Sequence, residues 1–401
     1  MQVTIAEIEA ARQRLRPVLQ STPLMPSSTL SRMLEAEVLI KPENLQKTGS
    51  FKLRGAYNRM AVLADDAMRH GVVAASAGNH GQAISFAATR AGVGATIVMP
   101  ETAAIAKIEA TRGYGQNVVL QGLNYPAAYQ AAIELCQRTG ATFIDPYDDP
   151  WVIAGQGTVG LEIAEETTAD FVFVPVGGGG LIAGVATALA ARAPATGVIG
   201  VEAAGSPQLS TSLRQRHAAV VSGPVDTIAD GLATGRLGRL PYELVRERLA
   251  AITSVDDFEI GEAVLLLLER MKLLAEGAGA AALAGALKLR ELVRGKRIVV
   301  LVSGGNIDIN LLDRIIGHGL VKAGRLYRLH LSLPDRPGEL GRLAGLIGAL
   351  GANVRAIDHD RTQRDVALGA ALVELELETR GHDHIARIRK ELHDHGYHLQ
   401  E

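Results

Sequence analysis

The sequence predicts an α/β protein of two subdomains with parallel twisted sheets, followed by a small α+β domain in ferredoxin-like order. Three observations carry this expectation. Short apolar strands alternate with helices between residues 72 and 144, the βαβ signature of a parallel sheet covered on both faces. The alternation resumes after a turn-rich break, with strands at 171–174, 197–201 and 297–302. From residue 327 the strands change character and alternate apolar with charged residues, as a sheet with one wet face requires.

The elements follow in order. A helix over the first fifteen or so residues and a Pro/Ser-rich connection lead to a strand at 38–40 and a helix at 52–63. Strands at 72–75, 95–99, 118–120 and 142–144 are separated by helices at 81–91, 105–113 and 126–138. The run DPYDDPW at 145–151 marks a crossover, its acids reading as caps and turns. A helix at 152–166 precedes the strand at 171–174, and a glycine run then opens a helix at 181–192. Residues 203–255 carry no regular pattern. Helices at 257–274 and 277–293 lead to the strand at 297–302, a helix near 309–316 and a Gly-rich linker at 317–324. In the tail, strands at 329–333, after 353, at 373–377 and at 397–399 enclose helices at 337–350 and 383–394, giving βαββαβ.

Composition excludes several classes. The 401 residues leave room for two or three domains, and 47% hydrophobic residues with 44 glycines suit tightly packed layers. A net charge of −2 makes no electrostatic case for nucleic acid or an anionic membrane. No apolar run is long enough to span a bilayer, and the N-terminus reads as an amphipathic helix rather than a signal peptide. The single cysteine, Cys136, excludes an intrachain disulfide framework and fits a reducing cytoplasm; its apolar helical flanks make it filler rather than a nucleophile.

The chemistry gathers on three loops and one lysine. Lys52, in KTGSFKLRGAYN, lies in the first turn of a helix for which Ser50 is the expected N-cap. The helix dipole disfavours a cation there, and such surroundings lower an amine's pKa and make it a better nucleophile and base. The strand at 72–75 runs into Ser76-Ala77-Gly78-Asn79-His80, that at 171–174 into Gly177-Gly178-Gly179-Gly180, and that at 297–302 into Ser303-Gly304-Gly305-Asn306. In open α/β sheets ligands bind outside the carboxyl ends of the strands, so the three loops predict one crevice. The four glycines open a helix, where free amides can cradle a phosphate; they match neither GxGxxG nor a Walker loop. The alternative account is a tight packing corner, for which one or two glycines suffice. A phosphate cradle with a helix-start lysine, and no nucleotide motif, points to pyridoxal phosphate.

SFKLRGA, SAGNHGQA, GQGTVGLEI, VPVGGGGLIAGVA, EGAGA and SGGNID occur in that order. Together they resemble the fold-type II pyridoxal-phosphate enzymes, of tryptophan synthase β-like fold. The likeness is nearest to the threonine dehydratase (threonine deaminase) group and covers about residues 15–320. Residues 327–401, with PDRPGELGRLAGLIGALGANV, resemble an ACT domain. The resemblance implies a catalytic domain at 1–320, with a small subdomain at about 50–148 inserted in the large one, a linker at 321–326 and a regulatory domain at 327–401. It implies Lys52 as the Schiff-base lysine and base, with Phe51 on one cofactor face. Asn79 is matched to the cofactor's 3′-oxygen, Ser303 to its ring nitrogen, and Glu276 to a position near the ring. Gly177, Gly178, Gly179 and Gly180 are matched to the phosphate, and Ser76, Asn79 and His80 to the substrate carboxylate.

The implied reaction is dehydration and deamination of L-threonine to 2-oxobutanoate and ammonia, and of L-serine to pyruvate. Ala77 stands where racemases of this kind carry a second, proton-moving serine, which favours elimination. Serine racemase, serine dehydratase, 3-hydroxyaspartate dehydratase and a catalytically silent amino-acid sensor remain alternatives. Racemase-like relatives bind a divalent cation through a pattern resembling Glu202, the Ser206 carbonyl and an acid two residues on. Gln208 stands at that last position, which points to a monovalent cation or none. His382, His384, His393, His395 and His398 read as a solvated helix face rather than a metal site, and Asp308 as a cap. In the tail, Gly338, Leu340 and Asn353 are the expected effector contacts, with isoleucine or valine bound between two such domains of a homo-oligomer.

Overall fold

A computed structural model describes residues 2–63, 65–361 and 368–400. The chain divides into two compact units, Met1–Ile309 and Asn310–Glu401. The strands of the first unit are β1 (Met25–Pro26), β2 (Glu37–Pro42), β3 (Val72–Ala75), β4 (Ala95–Met99) and β5 (Asn117–Leu120). They continue as β6 (Thr142–Phe143), β7 (Phe171–Pro175), β8 (Gly197–Ala203), β9 (Leu249–Val255) and β10 (Arg297–Val302). A six-stranded sheet runs β1-β2-β10-β7-β8-β9, parallel except for β1. The chain leaves it after β2, builds the all-parallel sheet β5-β4-β3-β6, and returns at β7. Strands β3 and β10 are buried at successive residues, hence on both faces, which is why they read as unbroken apolar runs.

Small residues set how closely the helices approach. Helices Pro150–Glu166 and Gly180–Arg192 meet where Gly184 lies against the backbone of Ile153 and Gly157; a Cβ on Gly184 would stand 2.5 Å from the Gly157 nitrogen. Helix Lys52–Met60 presses on Pro150–Glu166 through Gly55 and Gly155, and Gln156 Oε1 accepts the Gly55 amide at 3.1 Å. The GQGTVG run is therefore a packing seam that seats the lysine helix.

Several expectations need correction. Ser50 is not the N-cap: Phe51 holds that position with no side-chain bond, while Ser50 bridges to Gly304 and its buried hydroxyl has no partner. The irregular stretch contains helices Gln208–Gln215 and Arg239–Val245 as well as edge strand β9, whose partial exposure breaks its apolar run. Helix Ser28–Leu34 lies in the Pro/Ser-rich connection. Helix Asp257–Leu266 does not continue to 274 but unwinds through a π turn at Leu267–Met271. The second helix expected there splits into Gly277–Lys288 and Arg290–Val293. The stretch read as a Gly-rich linker is helical to Lys322, within Ile309–Lys322, and Gly324 with φ +62° ends it.

The second unit contains β11 (Leu326–Pro334), β12 (Asn353–Asp360), β13 (Ala370–Glu378) and β14 (Leu399–Gln400), with helices Glu339–Ala349 and His382–Asp394. The antiparallel order β12-β13-β11-β14 is the ferredoxin-like arrangement. Leu329, Leu331, Leu333, Val373, Leu375 and Leu377 face a core shared with Leu343, Ile347, Ile388 and Leu392. His384 is not on a solvated face: it is buried, accepts the Arg380 amide at Nδ1 and donates from Nε2 to the Leu350 carbonyl. Among the described residues no cluster of three or more His, Cys, Asp or Glu could hold a metal ion, and no helix is long and apolar enough to cross a membrane.

Candidate active site

The loops after β3, β7 and β10 open onto one cavity of about 350 Å³, within the range of small-molecule sites. Phe51, Lys52, Ser76, Asn79, His80, Gly177, Gly178, Gly179, Gly180, Glu276 and Ser303 all line it. Local sequence seats each loop. Gly49 takes φ +70°, and a side chain there would collide with Asn306. That turn brings residues 48–51 against 303–306. The Phe51 amide donates to the Ser303 carbonyl at 3.0 Å, Gly305 donates to Gly49 at 2.9 Å, and Asn306 Nδ2 donates to the Thr48 carbonyl at 2.9 Å.

Lys52 donates from Nζ to the Pro146 carbonyl at 2.9 Å and lies 5.3 Å over the Phe51 ring. Burial pushes its pKa down to about 8, against the opposing pull of Asp145 and Glu276. An amine so placed is partly neutral near physiological pH and available as nucleophile and base. Two residues on, Arg54 anchors the helix. It grips Glu43 through Nε and Nη2, both at 2.7 Å, and Glu162 through Nη1 and Nη2, and all of its guanidinium is buried. Removing one partner of such a buried set costs about 3–5 kcal/mol.

The other polar groups form a chain. Asn79 donates to Glu276 Oε1 at 2.5 Å and accepts from Asn306 at 2.7 Å, so its orientation is set from both sides. Burial raises the Glu276 carboxyl to about 7, the Asn79 bond opposing. Ser303 Oγ donates to the Ala278 carbonyl at 3.3 Å, and Ser76 Oγ accepts the Gly78 amide at 3.2 Å. His80 donates from Nε2 to the Ile144 carbonyl at 3.0 Å, which leaves Nδ1 buried without a partner. Burial and then the Lys52 charge drive its pKa down to about 3, so it is neutral across the working range.

Gly177 to Gly180 fit a phosphate. Their amides find no acceptor among the described residues, and they lead into the N-terminus of helix Gly180–Arg192. A Cβ at Gly178 would sit 2.1 Å from the Tyr147 ring, so only glycine leaves this wall open. Tyr147 is held in turn by Arg236 Nε, which donates to its hydroxyl at 2.7 Å. The orphaned amides and the facing amine match the phosphate and aldehyde ends of pyridoxal phosphate.

Sequence reasoning passed over other cavity residues: Tyr125, Tyr147, Lys107 and Asp230. Lys107 and Asp230 form an ion pair between helix Ile105–Arg112 and the 229–234 segment. No local motif marks them, because they meet only through the fold; DPYDDPW, at 145–151, was the nearest signal. Its acids do act as caps: Asp149 accepts the Trp151 and Val152 amides, and Asp148 those of Arg239 and Leu240. In the tail, Gly338 (φ +92°) opens helix Glu339–Ala349, Leu340 packs on its own unit's core, and Asn353 donates to Glu378 at 3.0 Å.

A partly neutral amine facing a cradle of free amides defines a lysine-dependent α/β enzyme with a phosphorylated carbonyl cofactor. The family described as "Pyridoxal-phosphate dependent enzyme" matches residues 15–304, and the chain belongs to it. It is 46% identical over 399 residues to the L-threonine ammonia-lyase of Thermotoga maritima, covering 99% of both chains. Among solved structures it is similar to the processed form of threonine deaminase isoform 2 from Solanum lycopersicum. That likeness has a TM-score of 0.75 and 39% identity, over 78% of this chain and 86% of that one. It is also similar to maize serine racemase, with a TM-score of 0.74 and 33% identity over 80% of this chain and 99% of that one.

Proposed function

We propose that the chain eliminates water from L-threonine and releases an enamine whose imine form takes up one water and gives 2-oxobutanoate and ammonia, and that it handles L-serine likewise to give pyruvate. The observation that carries this is the Lys52 amine, lowered to about 8, facing the open glycine wall, in a chain similar end to end to a threonine ammonia-lyase. Pyridoxal phosphate, when bound, supplies the electron sink for the electrons left at Cα. The chain supplies the rest. Lys52 holds the cofactor and moves the Cα proton. The amides of Gly177 to Gly180 take the phosphate, and Phe51 covers one ring face. Asn79 and Ser303 orient the ring's polar atoms, with Glu276 fixing Asn79. The loop of Ser76, Asn79 and His80 takes the substrate carboxylate. Ala77 lines the cavity with a methyl group that cannot move a proton, which favours elimination over racemisation.

Residues 1–320 act as the catalytic domain, with 321–326 as the link to the tail. The tail, 327–401, is an ACT-type regulatory domain in this reading, taking isoleucine or valine near Gly338 and Asn353 in a homo-oligomer of a cytoplasmic enzyme. The test is oxo-acid release by the purified holoenzyme. L-threonine should yield 2-oxobutanoate, and Lys52→Ala should lose turnover by at least about 10³-fold together with the absorbance band near about 410 nm. A folded wild type that carries the band and releases no oxo-acid from either substrate would sink the reading.

A further inference from the structure

Gln208 opens helix Gln208–Gln215, and its side chain is buried. Its Nε2 donates to three backbone carbonyls, Val176 at 3.0 Å, Gly177 at 3.1 Å and Leu232 at 3.1 Å. Its Oε1 accepts from Ser206 Oγ at 2.6 Å, so both ends of the carboxamide are fixed by their partners. Three carbonyl oxygens converging on one point, those of Val176 and Leu232 buried and that of Gly177 partly so, make an arrangement suited to a hard cation. Here an amide nitrogen fills it, offering two protons to three acceptors and carrying no charge to desolvate.

Glu202 is not free to ligate an ion. Its Oε2 accepts the Leu209 and Ser210 amides at 2.9 and 3.2 Å, and its Oε1 accepts Ser254 Oγ at 3.2 Å. Of the three residues read from the sequence as a cation pattern, Glu202 instead accepts from Leu209, Ser210 and Ser254, while Ser206 and Gln208 bond each other. The donor set does not fit a cation, because the Gln208 nitrogen points its protons at the oxygens a cation would need.

The three carbonyls are placed for consequence. Gly177 begins the glycine run, and Leu232 belongs to the neighbouring cavity-lining segment; a Cβ on Gly177 would lie 2.6 Å from the Gly231 carbonyl. We propose that Gln208 stands in for a cation, its carboxamide tying the glycine run to the 229–234 segment. Cofactor binding then needs no metal at this position, and Gln208→Glu alone would give that role to a divalent ion. The link to cofactor binding rests on reading Gly177 to Gly180 as the phosphate cradle. A glutamate there would face three carbonyls with no proton to give. A calcium or magnesium ion between them would meet an all-oxygen shell.

The experiment titrates pyridoxal phosphate into full-length apoprotein, with chelator or with added Mg²⁺, Ca²⁺ or K⁺, and follows calcium binding by calorimetry. Wild type should keep its cofactor affinity within about twofold in every condition and bind no calcium stoichiometrically. Gln208→Glu should bind cofactor at least about tenfold more weakly in chelator, recover with Ca²⁺ or Mg²⁺, and take up one calcium per chain. Gln208→Leu, similar in size but unable to donate, should be weak in all conditions. If Gln208→Glu folds only with calcium, that supports the proposal; if it folds in neither condition, wild type and Gln208→Leu decide. Wild type that gains affinity from any of the three cations, or Gln208→Leu that binds as wild type while Gln208→Glu takes no calcium, would overturn it. Calcium uptake by Gln208→Glu with cofactor affinity unmoved in every variant would preserve the cation mimic and remove the phosphate-cradle reading instead.

Discussion

Glycines in the two units answer to different forces. In the first unit Gly55, Gly155, Gly157 and Gly184 have backbone or side-chain atoms within 3 Å of where a Cβ would stand. In the second, Gly341, Gly345 and Gly348 along helix Glu339–Ala349 have nothing within 4 Å. The first set lets backbones approach, and the approach seats Lys52. The second set weakens a helix by about 1 kcal/mol per residue with no packing return inside its own unit. Charges divide the same way. The first unit holds Lys52, His80 and Glu276 where burial moves their pKa values, and locks Arg54 to two carboxylates. The second places pairs such as Arg328–Glu376 and Arg361–Asp335 at the surface, where water and salt screen them and each adds little. One unit is shaped from within around a reaction; the other is shaped for solvent or for something it meets.

The sharpest way to break the contrast is Gly184→Ala. Its methyl would have to displace backbone at Ile153 and Gly157, so stability should fall by about 2–3 kcal/mol in denaturant unfolding. An unchanged midpoint would mean that the helices can separate at no cost and that closeness is not what these glycines provide. Next is Glu276→Gln. The folded carboxyl sits near 7 and the unfolded one near 4.5, so the native state binds the extra proton between those values. Its contribution therefore costs stability increasingly as pH rises through that window, and the full cost stands above pH 7. Glu276→Gln should gain on wild type by about 3 kcal/mol from pH 4.5 to 8. A difference that does not vary with pH would place the proton elsewhere. The smallest effect is Gly345→Ala, which should raise the tail's thermal stability by about 1 kcal/mol. A loss there would show that the open space beside this helix is in use.

Much of this was legible because local pattern reflects local force. Strand β10 shows itself in RIVVLV because both its faces are covered, and β11 in alternating leucines because only one is. Edge strand β9 was missed for the opposite reason: with exposure mixed along it, neither pattern survives. Ser50 looked like a cap because its spacing from the helix was right, yet pairing with Gly304 took it elsewhere. His384 looked solvated because its neighbours are charged, yet Leu350 and Arg380 close over it.

By itself the sequence determined the alternation of strands and helices between residues 72 and 203, the lysine at a helix start, the three small-residue loops at strand ends and the change of sheet type near residue 327. These follow from backbone sterics, side-chain period and turn chemistry, which act over a few residues. Tertiary structure alone decided which distant groups meet. It set Tyr147 against Gly178, Asn79 between Glu276 and Asn306, Lys107 on Asp230, and the Gln208 amide among three carbonyls. Partners so far apart along the chain leave no periodic trace in it. Their meeting is fixed by how whole layers pack, and so is the burial that lowers the Lys52 amine.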